Sequence, residues 1–163
     1  MTVLRLSRLA LVANVALFFT LVALGNITDY GANWQFVVHV LAMDTTFKEP
    51  ELMGRAVTDP ALQRLAYAGI IAWQVLTAAL LWAGCLRLAL ALRAPRENFQ
   101  AARGLAVLGL TAGFLLYGLG FLTIGGEWFA MWQSSQWNGQ AHAAIFLLLI
   151  GLTLLHLCGE EHG

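Results

Sequence analysis

Four long apolar runs, separated by polar segments of unequal length, organise this chain. The first covers residues 9–24 and is broken only by Asn14 and Thr20. Leu4 and Leu6 extend it towards spanning length. Arg5 and Arg8 before it, and Ala23-Leu24-Gly25 near its end, also fit a cleavable leader. The extended length favours a retained span. The second run, residues 65–92, has Gln74 as its one strongly polar interior residue. The third, residues 104–124, carries no charge and is rich in glycine. The fourth is residues 141–157. The pattern predicts four transmembrane helices over about residues 4–25, 65–92, 104–124 and 141–157, in a single integral membrane domain. The intervening caps are residues 26–64 and 125–140.

Inside the longer cap lie about ten mostly apolar residues, 34–43, too few to span. Trp34, Val37, Val38 and Leu41 fall at i, i+3, i+4 and i+7, one helical face. Gln35 and His39 share another. The reading is an amphipathic helix at the interface, anchored by Trp34. In the third run Gly109 and Gly113 form a GxxxG pair. In lipid, small residues that permit close backbone approach drive helix association, so this span should pack centrally. The fold class is all-α: a four-helix transmembrane bundle with an additional interfacial amphipathic helix on the outer side.

Composition agrees. Of 163 residues, 60% are hydrophobic and 11% charged, against about 25% charged in soluble domains. Nine basic and nine acidic residues cancel, which suggests no nucleic acid and leaves the lipid bilayer as the main partner. Arg5, Arg8, Arg87, Arg93, Arg96 and Arg103 fall on one side of the four-span topology. Lys48, Arg55 and Arg64 fall on the other, in an acid-rich loop. The bias of basic residues places both termini in the cytoplasm and both caps outside. Cys85 and Cys158 have no metal-type spacing and read as buried, inert thiols; a helix-to-helix disulfide or a redox pair is the alternative.

The densest chemistry is at residues 127–142, where three tryptophans, three glutamines and a histidine fall between two apolar runs. A weak repeat accompanies it: Trp34 precedes His39 by five residues, and Trp137 precedes His142 by five. Two runs resemble a known family: Phe36-Val37-Val38-His39-Val40-Leu41-Ala42-Met43-Asp44-Thr45-Thr46-Phe47, and Glu127-Trp128-Phe129-Ala130-Met131-Trp132-Gln133-Ser134 with Trp137-Asn138-Gly139-Gln140. Together they resemble a bacterial family described only as predicted small integral membrane proteins, a domain of unknown function. The resemblance implies four helical spans in the bacterial inner membrane and brings no catalytic residues. Val38 stands where that family often has a basic residue, which weighs against an anion site there, and a histidine is not typical of the family at the position of His142.

Three chemistries suit the outer cap. The first is haem b, with His39 and His142 as axial ligands. His142 and His156 are fourteen residues apart, within about 40° on one helix face, but nothing obvious pairs with His156, since His162 lies in the tail, so a stacked two-haem arrangement is incomplete. The second is a quinone or lipid-headgroup site. Such sites use aromatic walls and amide or imidazole donors, which Gln35, His39, Trp128, Trp132, Gln133, Trp137 and Gln140 would supply. The third, a metal at His39, His142, Asp44 and Glu127, has no compact ligand motif behind it. An aromatic belt anchoring the helix ends also accounts for the tryptophans. Intramembrane ionisable groups are too few for a proton pump, and no GxSxG, HExxH or P-loop is present. The sequence thus reads as a non-enzymatic accessory or scaffolding subunit whose outer cap binds a partner or lipid, within a larger membrane complex or a homo-oligomer. A haem b or quinone redox module is the alternative.

Overall fold

The computed structural model describes residues 2–160, and every regular element among them is helical. Helix α1 is Thr2–Thr28, α2 Tyr30–Ala42, α3 the single turn Pro50–Met53, α4 Pro60–Leu90 and α5 Arg96–Ala102. Helix α6, Gly104–Leu115, continues as a π-helix over Leu116–Trp128. A 3₁₀ turn, Met131–Gln133, leads to α7, Gln140–Cys158. Four segments are long and apolar enough to cross a membrane: Thr2–Thr28, Pro60–Leu90, Arg96–Trp128 and Gln140–Cys158.

Local chemistry fixes the boundaries. Helix α4 begins at Pro60, earlier than the apolar run, because Asp59 caps it: the Asp59 carboxylate accepts from Ala61 N at 2.7 Å, and proline suits the first helical position. Helix α1 breaks at Asp29 (φ −116°, ψ 57°). Helix α2 stops at Met43 in the left-handed region (φ 50°), where its N–H donates to Val40 O at 3.2 Å.

Helix α4 packs between α1 and α6, and α7 closes the bundle against α6, its π-helical continuation and α1. The core is apolar, with Val12, Phe19, Leu81, Leu110, Ile150 and Leu157 essentially inaccessible. Small residues set the spacing, in keeping with the GxxxG pair. A Cβ on Gly109 would meet Leu81 at 2.9 Å, and one on Gly113 would meet the Phe19 ring at 2.6 Å. Two tryptophans within α4 also fasten helices together. Trp73 Nε1 donates to Ala112 O at 3.0 Å, and Trp82 Nε1 to Thr20 Oγ1 at 2.9 Å.

At the end carrying the termini, arginines serve helix ends. The last carbonyls of a helix lack intrahelical donors and form the negative pole of its dipole. Arg5 donates to Leu92 O (3.1 Å) and Ala94 O (2.7 Å) past α4, and stacks over Phe99. Arg8, only 1% exposed, donates to His156 O and Gly159 O at the end of α7. Arg103 donates to Leu157 O at 2.7 Å. Three arginines of the basic set therefore have a structural role. Ser7 Oγ lies 2.9 Å from His156 Nε2. His162, the tail histidine, lies outside the described residues.

Two expectations change. Cys158 is exposed rather than buried, and both cysteines are free. The Trp–His repeat is no structural duplication: His39 sits in the last turn of α2, His142 in the first turn of α7. Phe36, Val37, Val40 and Leu41 of α2 line the first of the cavities described below, and of the expected face Trp34, Val37, Val38 and Leu41, Val37 is buried and the others are half-buried. Trp34 stacks on Tyr30 (centroids 5.9 Å apart) and lies beside Tyr67 of α4 (6.0 Å).

Candidate functional site

The two cap segments, distant in sequence, fold into one structure. Met43, Phe129 and Ala130 form a buried cluster with Leu41, Leu52 and Val57 around it. Val57 N donates to Leu41 O at 2.8 Å, which pins the long loop back onto α2. Buried Ser134 is the central joint: its Oγ accepts from Thr45 Oγ1 (2.8 Å), Trp137 N (2.8 Å) and Gln136 N (3.3 Å). Gln133 Oε1 accepts from Phe47 N at 3.0 Å. Trp132 meets the Phe47 ring edge to face, and Arg55 lies over Trp128.

The residues singled out from sequence divide into groups. His39 and Trp137 come together: their rings stack 4.6 Å apart at 13°. His39 Nδ1 is 2.6 Å from Asp44 Oδ2, which orients the imidazole. Gln133 and Trp132 belong to the cap joint just described. Gln140 lies over Gly126, where any side chain would collide with its amide. Gln35 is exposed on α2 and lines neither of the two cavities described next. His142 is exposed at the start of α7 and lines the larger cavity; His39 does not. Among the described residues no three His, Cys, Asp or Glu side chains gather to hold a metal.

These cavities lie under α2. The first, about 260 Å³, is apolar and bounded by Val40, Leu41, Leu116, Gly120 and Ile124 among others. The second, about 370 Å³, lies between α1, α2, α4, the π-helix and α7. Phe36, Val37, Ile70 and Phe121 line both. The larger cavity has a polar wall that sequence reasoning missed. Asn33 Nδ2 donates to Asn26 Oδ1, and Asn26 Nδ2 donates to Gln74 Oε1, each at 2.7 Å. The Tyr67 hydroxyl reaches Asn26 O and Tyr30 O at 3.4 Å. Gln74 does stand out as the polar residue of an apolar run, and a buried amide requires a partner. Asn26 and Asn33 give no such signal, because they sit in a segment that already reads as polar loop.

The π-helix lines both cavities. Such helices are rare and usually a single turn, often at functional sites. Here the wide turn runs for 13 residues through Gly118, Gly120, Gly125 and Gly126. Phe129 N closes on Ile124 O five residues back, and Thr123 Oγ1 bonds Gly118 O. Gly120 presents bare backbone to the apolar cavity, and a Cβ there would meet only Leu116 Cδ1, at 3.9 Å.

No curated protein and no solved structure matches this chain. The family described as predicted small integral membrane protein (DUF2165) has a model that matches residues 4–159. With nearly the whole sequence covered and four apolar helices long enough to span, the chain belongs to that family of integral membrane proteins of unknown function.

Proposed function

We propose that this protein is a non-enzymatic accessory subunit of a membrane assembly, using its joined cap to recognise a partner or lipid. The observation behind this reading is an exposed aromatic edge on a well-fastened base. Trp128 (55% exposed), Trp132 (51%) and Phe47 (64%) stand out from the cap, while Ser134, Gln133 and Arg55 tie the segments beneath them. Tryptophan on a pre-ordered surface is a favoured contact residue, because little conformational entropy is lost on binding. The proposed location is the inner membrane of a bacterium, with both termini cytoplasmic and the cap outside. The test is purification in mild detergent followed by native mass spectrometry. A complex larger than the chain, lost in the Trp128→Ala/Trp132→Ala double variant at unchanged melting temperature, supports the reading. A chain that stays monomeric throughout refutes it.

The second reading, a haem b module, draws support from Asp44. Axial histidines commonly donate their other ring nitrogen to a carboxylate, as His39 is placed to do. An optical spectrum before and after dithionite decides it: no Soret band in freshly purified protein removes haem.

A further inference from the structure

We propose that the polar cavity under α2 is a binding site for a neutral, carbonyl-bearing amphiphile of the isoprenoid quinone class, anchored by Gln74. This goes beyond the partner-recognition reading and does not depend on it. The amide chain in its wall has a direction. Asn33 donates to Asn26, and Asn26 donates to Gln74 Oε1. The chain therefore ends on the Gln74 Nε2 donor, which makes no hydrogen bond among the described residues. Gln74 is only 3% exposed, yet it lines the cavity. No fully enclosed side-chain nitrogen or oxygen among the described residues lacks a partner, so this donor is reached from the cavity, and the polarised chain behind it strengthens it. A group that pairs with it from within the cavity is an acceptor.

The surroundings narrow its chemistry. No Asp, Glu, Lys or Arg lines this cavity, so nothing there balances a phosphate or an ammonium; the ligand is uncharged. Phe36, Tyr117, Phe121 and Phe146 form aromatic walls suited to a flat ring. His142, from α7, lines the same cavity and offers a second hydrogen-bonding group for a ligand with two carbonyls. The neighbouring apolar chamber, past Phe36 and Phe121, would take the start of a hydrocarbon tail. A volume of about 370 Å³ is within the range of small-molecule sites, ~300–1,000 Å³.

The test uses the full chain in lipid nanodiscs, with decyl-ubiquinone as probe and quenching of tryptophan fluorescence as readout. Empty nanodiscs report partitioning into lipid. Wild-type protein should show saturable quenching. Gln74→Leu should weaken it by about tenfold, the loss of one buried hydrogen bond. Gly120→Leu projects into the apolar chamber, where its Cβ would meet only Leu116 Cδ1 at 3.9 Å, and should weaken it comparably, so the question stays decidable should Gln74→Leu fail to fold. Arg96→Met, exposed and lining neither cavity, should bind as wild type. No saturable quenching, or equal affinity in the Gly120→Leu variant, overturns the proposal. So does native mass spectrometry that finds an acyl-ester lipid, which decyl-ubiquinone does not displace, held in the wild type and lost in Gly120→Leu.

Discussion

Glycine-to-alanine replacement should have opposite signs at two positions of the same helix. Gly84 and Gly69 both lie in α4. At Gly84 a Cβ would come within 2.6 Å of Ala106 N and 2.7 Å of its Cα. These are backbone atoms of α6, so no rotamer change relieves the clash, and the helices must separate by roughly 0.8 Å to restore ordinary contact. Overpacking of this kind costs about 1–3 kcal/mol. Alanine's better helix propensity returns ~0.5–1 kcal/mol, leaving a net loss on the order of 1–2 kcal/mol. At Gly69 a Cβ meets nothing within 4 Å, so only the propensity gain of ~0.5–1 kcal/mol remains. For a chain of this length each kcal/mol shifts Tm by ~2–4 °C. In detergent, followed by circular dichroism, Gly84→Ala should melt a few degrees below wild type and Gly69→Ala slightly above. Equal upward shifts in both variants would refute the close α4–α6 approach.

Further outcomes follow from particular contacts. Ser134→Ala removes the acceptor shared by Thr45, Gln136 and Trp137, so the cap should loosen by about 1–3 kcal/mol and be cleaved sooner in limited proteolysis within residues 44–58. Arg8→Met leaves carbonyls at the end of α7 without their buried donor and should lower the melting temperature more than Arg96→Met, an exposed position; equal effects would mean the end of α7 is satisfied otherwise. Cys158, exposed, should react with a membrane-impermeant maleimide and Cys85, buried, should not. If the termini are cytoplasmic, that labelling appears only after intact cells are opened.

The physics of the bilayer makes the architecture legible in the amino-acid sequence. Apolar runs of spanning length have few other uses, so four helices can be read directly. The glycines of the third run announce close packing because in lipid little else holds helices together, and Gly109 and Gly113 do lie against Leu81 and Phe19. The role of α2 is less legible: its apolar residues are dense enough to satisfy helical periodicity in more than one register, and only its neighbours show that Phe36, Val37, Val40 and Leu41 line a cavity while Trp34 packs beside Tyr67.

What the tertiary structure alone decides is which polar groups meet. In the sequence, the caps at residues 26–64 and 125–140 are separate surfaces, and His39 and His142 are natural partners. Folded, His39 turns to Asp44 and Trp137, while His142 joins a cavity with Asn26 and Gln74. The π-helical continuation of α6 lines that cavity through Tyr117 and Phe121, a geometry that an uninterrupted apolar run does not announce. Hydropathy follows from each residue's own transfer free energy and is therefore local. Hydrogen-bond pairing between segments 48 residues apart, as for Asn26 and Gln74, depends on where packing puts them, so it is visible only in the folded chain.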